Sequence, residues 1–330
     1  MKNVLQATCT ALVTVFSALM PWTTPSALAQ TYPSKPIKII VNYTPGGPTD
    51  LVARTMGAKM GDMLGQSFLV ENIPSANGTI GTQAASRAAP DGHTILFTTA
   101  GHTSVALALF GDKIGFDPFK DITPVGKIVD STQIIVAHPS LGVKSIPELV
   151  KLAKSKPGQL NFGSVGVGSS NHLGIELLKS MAGIDMLHVP YKGTAPVMQD
   201  LLAGRVHLML NSMGTVISQV KAGKLVALAV GTTTRSPAAP DVPTMEELGY
   251  KGYQVSTWYA FFVPAKTPAP IIAKLNTTLN QALADPQIAK SFAPQGFDAA
   301  PGTPESIAKL MREEYERWKK VIADAKIVAE

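Results

Sequence analysis

Cysteine is almost absent from this chain of 330 residues, and the one that occurs, Cys9, lies in a leader-like N-terminal segment. From residue 30 onward there is no thiol, which excludes disulfides, zinc-thiolate sites and cysteine nucleophiles together. Charge is scarce as well. Asp, Glu, Lys and Arg make up 16% of the residues, and the net charge of +6 is spread along the chain rather than gathered into basic runs, which argues against a nucleic-acid surface. Beyond the leader no run of about 18 apolar residues occurs, so no membrane-spanning helix is expected there. What is abundant is apolar material, 45% of the residues. That is enough to bury cores and to exclude wholesale disorder, and the length fits two domains.

Residues 1–29 read as a secretory signal, with Lys2, an apolar stretch from Ala7 to Met20, a break at Pro21 and the small-residue site Ala27-Leu28-Ala29. The apolar stretch is shorter than the roughly 20 residues a spanning helix needs. Gln6-Ala7-Thr8 before Cys9 is a poor lipoprotein signal. Cleavage would leave Gln30 first in a chain exported from the cytoplasm.

From there one grammar repeats. The run from Ile37 to Asn42 is short, β-branched and apolar, as a strand buried on both faces should be. It leads through the turn YTPGGPTD into a helix with Asp50 expected at the N-cap. Strand, glycine turn and helix recur at Phe68 to Glu71, at HTILFTT, at QLNFGS and at VHLMLNS. This alternation predicts an α/β fold with largely parallel sheets. Two longer extended runs, Gly126 to Pro139 and Tyr253 to Pro264, each end at a proline. Read as two strands crossing between lobes, they give one lobe of residues 30–126 plus 253–330 and a second of 127–252. Thr303-Pro304-Glu305 then opens a closing amphipathic helix through Tyr315, Trp318 and Val321.

Glycine, serine and threonine gather at the strand-to-helix junctions, where backbone N–H groups lack intrahelical partners and attract anions. The candidate turns are Tyr43 to Asp50, Asn77 to Gly81, Thr98 to His102 and Ser164 to His172. In open α/β sheets such turns meet at the carboxyl ends of the strands. Enzyme signatures fail. There is no GxxxxGK followed by Ser or Thr, no GxSxG, and GSVGVGSSN has Asn171 where a third dinucleotide glycine would stand. Ser164, Ser169, Ser170 and His172 are close in sequence, which is not triad geometry. His172 and Glu176 are four residues apart with no third metal ligand. No catalytic residue, metal or cofactor is expected. Tyr191 and Lys192 open the loop before a further helix at Thr194, and Trp258 and Tyr259 are either cleft aromatics or packing between lobes.

Four blocks, YPSKPIKIIVNYTPGGPTDLVAR, GTIGTQAASRAAPDGHTILFTT, NFGSVGVGSSNHL and VPYKGTAPVMQDLLAG, together resemble the Bug proteins, extracytoplasmic solute receptors of tripartite tricarboxylate transporters. The resemblance implies a two-lobe, Venus-flytrap periplasmic binding protein, monomeric, that closes on a small organic carboxylate (a di- or tricarboxylate or an aromatic acid) and hands it to membrane permease subunits. Carried over, Tyr43, Gly46, Gly47, Thr49, Asp50, Gly78, Thr79, Thr98, Thr99 and His102 line the site from the first lobe. Ser164, Gly166, Ser169, His172, Tyr191, Lys192, Gly193 and Asn211 complete it from the second. His207 and Asn211 stand where family members often carry acidic residues, which implies a ligand without an amine. The rivals are an exported hydrolase or metal-dependent enzyme on the same fold, and a sensor that passes its closed form to a signalling partner.

Overall fold

The computed structural model describes residues 32–75, 78–324 and 326–328. The expected leader, with Cys9, and Asn77 of the second turn lie outside them. The chain divides into two compact units, residues 1–34, of which 32–34 are described, and Lys35–Glu330. The sheets, helices and cavities all belong to the second unit.

Its first elements are Ile37–Val41 (β1), Pro48–Leu64 (α1), Phe68–Asn72 (β2), Thr79–Ser86 (α2), Thr94–Thr99 (β3), a 3-10 turn at Ala100–His102, Ser104–Phe110 (α3) and the long strand Ile122–Ala137 (β4). Then come Ile146–Ser155 (α4), Asn161–Ser164 (β5), Ser170–Ala182 (α5), Leu187–Pro190 (β6), Thr194–Leu202 (α6), Leu208–Ser212 (β7), Met213–Lys221 (α7) and Val226–Val230 (β8). The chain closes with Ser256–Pro264 (β9), Ala269–Leu283 (α8), Pro286–Phe292 (α9), Phe297–Ala299 (β10) and Pro304–Asp324 (α10).

β1 lies between β2 and β3, parallel to both. β3 then pairs antiparallel with β9, and β9 with the first part of β4, Ile122 to Thr132. From Gln133 onward β4 belongs to a second sheet, antiparallel to both β7 and β8, and that sheet continues in parallel through β5 to β6. β4 therefore threads both sheets. The chain passes between them again just before β9, where the Val255 amide donates to the Gly231 carbonyl beyond β8. The sheets are mixed rather than largely parallel. The connecting strands run against their neighbours, and β8 and β10 both pair with β4 from far along the chain.

Local sequence explains the elements that shape the site. β1 is IKIIV with only Lys38 exposed, its β-branched side chains fitting a pleated surface covered on both faces. α1 starts three residues before the expected point, because Pro48 is preset for the first helical position and Gly47 rather than Asp50 takes the cap. Asp50 falls inside the first turn instead. Val52, Ala53, Met56 and Met60 bury the inner face of α1, and Gly65, left-handed at φ 67°, ends it. α10 buries Ile307, Met311 and Trp318, and its Glu314 accepts the Trp318 indole N–H at 3.0 Å. Burying each such large apolar side chain is worth about 1.5–3 kcal/mol, and it seats the C-terminal helix on α3 and β4.

Candidate functional site

Between the ends of the two sheets lies a cavity of about 50 Å³, which shares Tyr43 and Val165 as wall residues with two larger openings of about 670 and 500 Å³. At roughly 10–15 Å³ per water, the inner cavity has room for about four waters or a single carboxylate group. Four helices begin at it. Thr49 is the second residue of α1, Ser170 and Asn171 are the first two of α5, Thr194 is the first of α6, and Ser212 caps α7. The rest of the wall comes from Tyr43, Thr99, Gly101, His102, Gln133, Val165, Ser169, Asn211, Thr257 and Tyr259. No Asp, Glu, Lys or Arg lines it. The fixed electrostatics are therefore those of helix N-termini, whose free N–H groups and dipoles favour an anion by about 0.3–2 kcal/mol each.

The ionisable groups in the wall are held neutral. Burial pushes the His102 imidazole down to about 4 and keeps the Tyr43 and Tyr259 phenols protonated well above their usual range. Tyr43 lies on His102 with ring centroids 4.5 Å apart, and its hydroxyl meets that of Thr99 at 2.6 Å. Unfolded, the His102 side chain takes up its proton near pH 6.5, but folded only near 4. Stability held above pH 6.5 is thus lost as the pH falls toward 4, by about 3 kcal/mol for this residue. Urea unfolding at pH 7 and pH 4 checks it, and His102→Phe should shrink the difference by about that amount, leaving the share of the other two buried imidazoles, His172 and His188.

Of the residues expected from sequence, Tyr43, Thr49, Thr99, His102, Ser169 and Asn211 reach the inner cavity. Gly166, Tyr191, Lys192 and Gly193 line the larger opening, and Gly46, Gly47 and Asp50 the smaller. Asp50 has little left for a ligand. Its carboxylate accepts from the Gly46 amide, Arg54 Nε and Asn72 Nδ2. Burial pushes its pKa up, but these bonds outweigh that and hold it below the usual carboxylate range.

Five expected residues line none of the three spaces. Thr98 alternates with Thr99 along β3 and faces inward, accepting from Asn42 Nδ2 at 2.9 Å. Gly78, left-handed at φ 64°, lets the chain pass against the His102 ring where a Cβ would overlap it, and Thr79 follows it into α2. Ser164 is fully buried, accepting from the Gly166 amide. His172 lies behind the loop, on a separate cavity of about 410 Å³, with its Nε2 3.9 Å from Glu176. No group of three metal-binding side chains occurs among the described residues. His207 exchanges hydrogen bonds with Asn161 just before β7, so of the two positions read as departures only Asn211 meets the cavity.

The expectation also omits Gln133 and Ser212, and it treats Asn171 only as a missing glycine. Gln133 donates to Ser212 Oγ at 3.0 Å and accepts from Asn171 Nδ2 at 3.3 Å, while Asn171 also donates to the Leu210 carbonyl at 2.6 Å. One amide thus ties the starts of α5 and α7. The available signal was slight, since Gln133 follows the polar residues Asp130-Ser131-Thr132 at the edge of the apolar run IIVA. Alternation along β9 settles the aromatic pair, sending Tyr259 to the cavity and Trp258 into the core.

Residues 52–327 match the family described as the tripartite tricarboxylate transporter family receptor. The chain is similar to the structure of the periplasmic binding protein BugD, at 34% identity and a TM-score of 0.84, over 91% of this chain and 100% of that one. It is similar at 33% identity to a Rhodopseudomonas palustris protein solved with adipate, with a TM-score of 0.85 over 90% and 99% of the two chains. The Rhodopseudomonas palustris protein MatC with bound malate is also 33% identical, with a TM-score of 0.83 over 88% and 100%.

Proposed function

Because this chain belongs to the tripartite tricarboxylate transporter receptor family, a family of periplasmic solute-binding proteins, we propose that it captures a small di- or tricarboxylate between two lobes and delivers it to a membrane permease. The observation that carries the proposal is the inner cavity, where four helices begin and no charged side chain lines the wall. One carboxylate of the ligand sits there on N–H and hydroxyl donors. The remainder of the ligand extends into the larger opening, where the exposed side chain of Lys192 is the charged residue of the wall and stands ready for a distal carboxylate. An amine has no acidic partner in the inner wall, which disfavours amino acids. Adipate and malate in the similar proteins support the same chemical class.

The two lobes of this proposal are residues 30–126 with 253–330, and 127–252. The passage of β4 between sheets at Thr132–Gln133 and the return at Val255–Ser256 support crossings near those limits. Closure then follows from the ligand binding both lobes better together than apart.

The test is thermal unfolding of the purified periplasmic protein with malate, succinate, adipate, citrate and benzoate, each beside its amide. A ligand at a hundred times its Kd should add about 2.7 kcal/mol. Stabilisation by one acid and not by its amide is the expected result, and a deletion strain should lose uptake of that acid. Equal response to acid and amide, or silence to every acid, overturns the proposal.

A further inference from the structure

Behind the cleft loop 164–169 two imidazoles lie face to face, those of His172 on α5 and His188 on β6, with centroids 4.0 Å apart and planes 23° from parallel. Phe162 of β5 extends the stack, its ring 4.9 Å from His188. The loop faces the cleft through Val165, Gly166 and Ser169, while Val167 lines both the cleft opening and the cavity behind it that holds both imidazoles.

Each imidazole is bonded to the loop. The Gly168 amide donates to His172 Nδ1 at 3.2 Å. His188 Nε2 meets Ser164 Oγ at 2.7 Å, and that oxygen accepts from the Gly166 amide at 3.1 Å and donates to the Gly166 carbonyl at 3.0 Å. The same carbonyl accepts from Ser169 Oγ at 2.7 Å, at the cap of α5. The Ser164–His188 contact has the length of a nucleophile–base pair, but a fully buried oxygen engaged three ways is not available to attack a substrate. What the contact does is fix a turn.

We propose that His172 and His188 are positioning residues, neutral imidazoles whose ring nitrogens, bonded to Gly168 and Ser164, hold loop 164–169 in the shape that offers Gly166, Ser169 and the start of α5 to the ligand. The proposal rests on the carboxylate-receptor reading for its ligand arm alone. Neutrality is part of the device. A proton on His172 Nδ1 would set two donors against each other at Gly168, and a second charged ring would stand 4.0 Å away. The charged groups on the same cavity are Glu176 and Lys179 of α5, Asp185 before β6 and Lys326 near the C-terminus. Lys179 is bonded to Glu176 at 2.8 Å, so the acid nearest His172 is already engaged. Burial first, then His188 and Lys179, push His172 down to about 3, and burial with Lys179 pushes His188 down to about 4.

Two substitutions in the whole protein separate ring from acceptor. His172→Asn keeps an oxygen able to accept from Gly168 and removes the ring, whereas His172→Phe keeps the ring and removes the acceptor. Hydrogen exchange of residues 164–169 without ligand should stay within about threefold of wild type in His172→Asn and rise about tenfold in His172→Phe, the worth of one buried hydrogen bond. Adipate affinity by calorimetry should follow the same order. Wild-type exchange in His172→Phe, or equal acceleration in both variants, overturns the proposal. On the unsubstituted protein, nitrogen NMR should find His172 Nδ1 without a proton at pH 7, and a protonated Nδ1 likewise overturns it. If the wild type does not bind adipate, the receptor reading fails for that probe, while the exchange and NMR results still decide whether His172 Nδ1 holds the loop.

Discussion

Replacing Asn211 by aspartate is expected to weaken carboxylate binding about a hundredfold and to leave the fold intact. The two side chains have the same shape, and Asn211 Oδ1 already accepts from the Ser212 amide at the cap of α7, a bond that a carboxylate keeps and strengthens. The change is one negative charge in a wall where no other side chain is charged. At about 5 Å and an effective dielectric near 20, two like charges repel by about 3 kcal/mol, or about a hundredfold in Kd. Calorimetry with the acid that stabilises the wild type measures it, alongside the Tm of the free protein. The same variant should gain affinity for the matching amino acid, since an ammonium group would then find a counter-charge. A loss below about threefold means that the carboxylate is seated elsewhere.

Gly214→Ala is expected to cost about 3 kcal/mol of stability, at the upper end of what overpacking a well-packed site does. Gly214 is the second residue of α7, and a Cβ there would overlap the backbone carbonyl of Gln295. Neither side yields easily. Gln295 ends a short 3-10 turn, and Gly296 after it, left-handed at φ 66°, is packed so closely that a Cβ there would overlap the Met213 side chain. A shift of α7 away from that turn would carry Ser212 and its cap out of the cavity, so affinity should fall along with stability. Thr215→Ala, one residue on, removes a buried hydroxyl without a hydrogen-bond partner and is the near-neutral control. Denaturant unfolding of both variants decides. A Gly214→Ala protein as stable as wild type would mean that the two segments separate freely.

The parts of the fold that were legible are those where adjacent residues state the geometry. IKIIV reads as a doubly covered strand, and Thr303-Pro304 reads as a helix start, which Thr303 Oγ1 completes by accepting from the Ser306 amide. Pairings set by distant segments were not legible, and β8 and β10 carry no local sign that both lie against β4. The site divides in the same way. Thr49 and Ser169 stand at the start of helices and could be read from their turns. Which way a side chain faces around a helix start is a matter of about 100° per residue. Asn171 therefore meets the cleft while His172, its neighbour, meets the cavity behind it. Gln133 was hidden because its role comes from two helices met far along the chain.

The route of β4 and β9 also sets an order of assembly. β3 has no partner on its outer side until β9, at residues 256–264, is available, and the first part of β4 waits for both β9 and β10. During synthesis the N-terminal third therefore carries an unfinished sheet edge for nearly half the chain's length. Such long-range closure is of the kind that makes folding slow. A polypeptide of this topology cannot complete its first sheet before its last segments are made, so the whole sheet closes only when the whole chain is present.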